Sequence, residues 1–105
     1  MILTGSEIKK EVEKGRIIID PFREEDIETN SYDFHIDNVL YTYKDDVLDP
    51  TKENELVELV IPSQGLTLSP KKIYIGKTVE TIGSKYFVPI IKGRSSTGRL
   101  GIFVN

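Results

Sequence analysis

The chain has 105 residues, no cysteine, one histidine and a formal net charge of −3. Disulfides and thiolate chemistry are therefore excluded, and the acidic balance argues against a general binder of nucleic-acid polymers. No run of about 18 apolar residues and no basic, apolar leader is present, so the expectation is a cytoplasmic protein without a membrane span.

The length suits one domain, residues 1–105, with a modest core. Thr4-Gly5-Ser6-Glu7 reads as a helix start in which Thr4 caps and Glu7 reaches back. Leu3 and Ile8 are spaced for an apolar staple across that cap. Ile8 and Val12 share a face, while Lys9, Lys10, Glu11 and Glu13 face water. Gly15 ends the helix. Ile17-Ile18-Ile19 predicts a short buried strand stopped by Asp20-Pro21. The acidic stretch from Phe22 to Glu28 suits a solvated face with one helical turn.

Tyr32, Phe34 and Ile36 alternate with Asp33, His35 and Asp37, which is strand period two. Val39, Tyr41 and Tyr43 continue it after a bulge near Asn38. His35 has no second histidine and no cysteine beside it, so the sequence offers no zinc ligand set. Lys44 to Glu55 is a polar loop. Leu56–Ile61, Leu66–Leu68 and Ile73–Val79 are further short apolar runs between turn signals, and Tyr86–Ile91 and Leu100–Val104 are expected as two last, buried strands. The pattern predicts a mainly β sandwich or barrel behind a short N-terminal helix.

Between those last two runs lies Gly93-Arg94-Ser95-Ser96-Thr97-Gly98-Arg99-Leu100-Gly101, which packs two arginines, two serines, a threonine and three glycines into nine residues. After Glu80 there is no acid, only Lys85, Lys92, Arg94 and Arg99. Guanidinium forks, hydroxyls and close-approaching backbone together make a candidate anion site. The same residues also suit a solvated turn whose arginines pair with carboxylates elsewhere. It is not a P-loop, because Arg99-Leu100 follows Gly98 and the expected next element is a strand. No triad surrounds Ser95 or Ser96, so the chemistry on offer is recognition and electrostatic stabilisation.

This segment resembles the central motif of the dCTP deaminases, including the bifunctional dCTP deaminase–dUTPases of the trimeric dUTPase superfamily. Met1-Ile2-Leu3 with its helix, Gly15 to Phe22, and Asn30-Ser31-Tyr32-Asp33-Phe34-His35-Ile36 resemble the same family in the same order. The resemblance implies a distorted jelly-roll barrel of the dUTPase type, a homotrimer with sites between subunits, and a zinc-independent attack of water on C4 of dCTP. Bifunctional members go on to dUMP and diphosphate. By matching position, Arg94 and Ser96 would contact phosphates, Ser95 would lie beside the base and the attacking water, and Arg99 would support the reacting centre. Magnesium would come with the triphosphate of dCTP, dUTP or dTTP. Tyr32 and Asp33 would be mainly structural. The family's activating glutamate, base-selecting hairpin and lid all follow this motif, so a chain ending at Asn105 is expected to be a truncated N-terminal portion, inactive alone and prone to oligomerise or exchange strands at Leu100–Val104. His35 stands where many members carry arginine. A dUTPase, and a non-catalytic nucleotide-binding or assembly module, remain as alternatives.

Overall fold

Helix α1 (Gly5–Glu13) begins where the cap signal lies. Thr4 is extended, its hydroxyl accepts the Glu7 N–H at 3.4 Å, and its carbonyl accepts the Ile8 N–H at 2.9 Å. Such a cap satisfies donors that the first turn leaves unpaired. Thr4→Ala is expected to cost about 1 kcal/mol, read as a lower urea midpoint with unchanged slope. Gly15, at φ 71°, takes the left-handed conformation that stops the helix, and its N–H donates to the Val12 carbonyl.

The computed structural model describes all 105 residues. The chain is mainly β, with the short N-terminal helix and two antiparallel sheets, and it divides into two units, residues 1–32 with 81–105, and residues 33–80.

In the first unit, β1 (Ile18–Asp20) pairs antiparallel with Thr81–Gly83, numbered β5 in chain order. Ile19 is buried and faces Ile82 across the ladder. The Asp20–Pro21 peptide is cis, and one 3-10 turn follows over Glu24–Asp26 inside the acidic stretch. Below α1 the chain comes very close to itself. The Gly5 N–H donates to the Thr29 carbonyl at 2.8 Å, and a Cβ on Gly5 would sit 2.1 Å from the Glu28 carbonyl oxygen. After β5, the Ser84 hydroxyl donates to the Arg16 carbonyl at 2.7 Å and accepts the Tyr86 and Phe87 N–H groups. The Arg16 guanidinium lies 4.7 Å from the Tyr86 ring centre and 5.5 Å from that of Phe87, with Glu11 at 3.1 Å.

In the second unit, β2 (Ile36–Tyr43) is the central strand between β3 (Leu56–Val60) and β4 (Tyr74–Thr78). The bulge expected near Asn38 is present, as a register shift against β4 between Ile36 and Leu40. The buried face, however, belongs to Leu40 and Thr42, while Val39, Tyr41 and Tyr43 are only half-buried. Period two holds; the larger side chains lie on the less covered face, and the Thr42 hydroxyl is satisfied inside by donating to the Ile73 carbonyl at 3.0 Å.

Three expectations are corrected. The strand expected from Tyr32 begins only at Ile36. Tyr32 instead bridges to Ile27, stacks on Phe22 at 5.5 Å and accepts the Arg23 N–H on its hydroxyl, which holds it in a local loop. Leu66–Leu68 lies outside any strand. Tyr86–Ile91 and Leu100–Val104 are neither strands nor buried: Val88 is 88% exposed and Phe103 91%. A strand needs a ladder partner as well as an apolar pattern, and the pairings formed are β1 with β5 and β3–β2–β4.

Candidate functional site

The polar segment folds as helix α2 (Ser95–Arg99), not as a plain turn between strands. Arg94 is its N-cap residue, extended at φ −69° and ψ 153°, and its carbonyl accepts the Gly98 N–H at 2.9 Å. The C-terminal end closes on Gly101, and the Ile102 N–H returns to the Thr97 carbonyl. The segment is steadied from behind by Val104, whose Cγ2 lies 3.3 Å from where a Cβ on Gly93 would be.

All four candidate residues thus fall within one cap and one short helix. Ser95, Ser96 and Arg99 are exposed within α2, and Arg94 stands at its entrance. The hydroxyls of a first turn and the two guanidiniums offer donors to an oxyanion, and the segment contains no carboxylate to repel one. It equally contains no group that takes up a proton near neutral pH, so it can bind and orient but not act as a base. The segment's own donors do not suit a protein-held magnesium, which takes carboxylate and carbonyl oxygens.

Arg94 has a carboxylate within reach. Its Nη2 lies 3.8 Å from Glu28 Oε1, an exposed ion pair with side chains 65% and 48% accessible. The alternative of arginines paired with distant acids is therefore partly realised in the same residue that suits a phosphate.

A second pair, in the second unit, went unread in the sequence. Glu80, its side chain 3% exposed, accepts the His35 backbone N–H on both oxygens at 3.1 and 3.0 Å, and His35 Nδ1 lies 2.6 Å from Oε1. The Val79 N–H donates to the His35 carbonyl, and the Thr78 hydroxyl donates to the Glu80 carbonyl. Burial pushes the Glu80 carboxyl up, but the His35 N–H and ring outweigh it and hold the group below its ordinary value. Glu80 is thus a fastening at the end of the three-stranded sheet. Its only sequence signal was that an acid stands after the apolar run of β4.

With this geometry in place, comparison with known proteins decides the family. A dCTP deaminase-like family profile matches residues 2–105. The chain belongs to the dCTP deaminase-like family. It is 44% identical over its full length to a dUMP-forming dCTP deaminase of Clostridium acetobutylicum, and 49% identical to one of Clostridium botulinum, covering 60% of each. It is 44% identical to a dCTP deaminase of Rhodopirellula baltica, covering 52% of that protein. The chain thus spans 60% or less of the length of these relatives. Family membership and the mainly β architecture with a short N-terminal helix agree with the sequence-based expectation. No helix is long and apolar enough to cross a membrane.

Proposed function

We propose that this chain carries the phosphate-binding segment of a zinc-independent dCTP deaminase of the dUMP-forming type. The observation that carries the reading is the placement of Arg94, Ser95, Ser96 and Arg99 on one exposed cap and helix free of carboxylates, in a chain of this family. In the complete site, water adds at C4 of the cytosine and ammonia leaves. A second water then cleaves between the α- and β-phosphates to release diphosphate and dUMP. Arg94 and Ser96 hold phosphate oxygens, Ser95 orients the base and the attacking water, and Arg99 stabilises charge at the reacting centre. Magnesium enters with the triphosphate. The proton acceptor lies outside this segment. The active form is a homo-oligomer in the cytoplasm, where free deoxynucleotides are the substrate pool.

Calorimetric titration of the 105-residue protein with magnesium–dCTP tests the binding half. Arg94→Ala is expected to weaken binding at least tenfold, since a charge-assisted contact to phosphate is worth about 1.5–3 kcal/mol. Binding that survives the substitution unchanged would sink the assignment. One observation favours a second reading, a purely nucleotide-binding module: the segment has no base of its own. Ammonia release from dCTP by the longest natural form of the protein would exclude it, and saturable binding without release would support it.

A further inference from the structure

Every acid of the chain precedes Lys85, so any carboxylate that meets Arg94 must come from a distant segment. One that stands beside it is Glu28, and the backbone of Glu28 is well held. Its N–H donates to the Ser31 carbonyl at 2.9 Å, and the Ile27–Tyr32 bridge closes the loop around it. Gly5 packs directly against its carbonyl, leaving no room for a side chain. Arg94 likewise stands on fixed backbone, as the cap of α2. Two anchored residues of opposite charge therefore face each other at the candidate phosphate site.

Their contact is close enough for attraction and too long for a hydrogen bond. At 3.8 Å, Arg94 Nη2 and Glu28 Oε1 form an ion pair without a shared proton. A phosphate oxygen can instead take two guanidinium N–H groups at about 2.7–2.9 Å. The looser partner yields to the tighter one, and it leaves a negative charge beside the incoming anion.

We infer that Glu28 is a resident counter-ion of Arg94, which a nucleotide phosphate displaces, and that Glu28 thereby tunes nucleotide affinity. This rests on the phosphate-binding reading of Arg94. Glu28 is a positioning residue, acting through Arg94 and not on the nucleotide's reacting atoms. It keeps the guanidinium over the helix entrance in the free protein and opposes retention of anions that bind too weakly to replace it.

The test is a double-mutant cycle on magnesium–dCTP affinity, read by calorimetry, with folding of each variant checked by circular dichroism. Glu28→Gln keeps the side-chain length and the backbone contacts and removes the charge. It is expected to tighten binding by about two- to fivefold, the scale of an exposed ion pair. The gain should vanish in an Arg94→Ala background. Glu25→Gln serves as the control, since Glu25 is also exposed and acidic but pairs with Arg23 at 2.7 Å; it should leave affinity unchanged. Unchanged or weaker binding by Glu28→Gln, an equal gain in Glu25→Gln, or a gain that persists without Arg94 would each overturn the role of Glu28 alone. Absence of wild-type binding, or binding indifferent to Arg94→Ala, would instead overturn the phosphate-binding reading and the role of Glu28 with it.

Discussion

Glu80→Ala is expected to cost about 2–3 kcal/mol of stability, the scale of hydrogen bonds to a charged group. The carboxylate is almost wholly covered, so its hydrogen bonds are shielded from water, while the His35 side chain is 46% exposed and can be solvated when its partner is lost. Removing the carboxylate strands the His35 backbone N–H, which has both Glu80 oxygens as acceptors. It also unfastens the start of β2 from the chain just after β4. Equilibrium urea unfolding checks the magnitude, and a loss under about 1 kcal/mol would mean that water replaces the carboxylate without penalty.

The same group sets an acid dependence whose sign follows from its direction of shift. The folded carboxyl titrates below its ordinary value of 4.5, because the contacts from His35 outweigh the burial that opposes them. The charged form is therefore worth more in the folded than in the unfolded chain. Its contribution is complete above 4.5 and is lost as pH falls through the lower folded value. Wild-type protein should lose stability across that acid window, and Glu80→Gln should show a flatter profile there. Parallel profiles for the two proteins would place the acid sensitivity elsewhere.

Gly5→Ala is expected to destabilise by about 2 kcal/mol or more, although alanine is the better helix former by at most about 1 kcal/mol. The added methyl would lie 2.1 Å from the Glu28 carbonyl oxygen and 2.6 Å from Ile27 Cγ2. Relief by moving α1 would stretch the Gly5–Thr29 hydrogen bond, and relief by moving the loop would pull Glu28 from Arg94. Packing wins over propensity at this residue because the obstacle is backbone rather than a flexible side-chain tip. A melting temperature equal to or above the wild type would contradict the close approach.

Much of the local structure was legible in the residue order. Thr4 and Gly15 bracket α1, Asp20-Pro21 closes β1, and the shift near Asn38 interrupts β2, each within a few positions of its signal. The candidate segment was legible as well, since Arg94, Ser95, Ser96 and Arg99 are near neighbours in sequence and remain so in space. Their helical form was not, because a Gly-rich polar stretch satisfies turn and helix chemistry alike and only the bonds from Gly98 to Arg94 and from Ile102 to Thr97 select between them.

What the residue order determined by itself is therefore of short range: caps, turns, strand period, the charge imbalance after Glu80 and the family signature around Arg94. Tertiary structure alone decided which face of β2 is covered, that β1 takes β5 as its partner, and that Tyr86–Ile91 and Leu100–Val104 form no ladder. It also decided the two carboxylate assignments, Glu80 to His35 and Glu28 to Arg94. The reason is physical. A cap or turn is settled by groups a few bonds apart, whereas ladder pairing and ion pairing depend on which distant backbone is brought within a few ångströms, and an acid's neighbours in sequence carry no record of that.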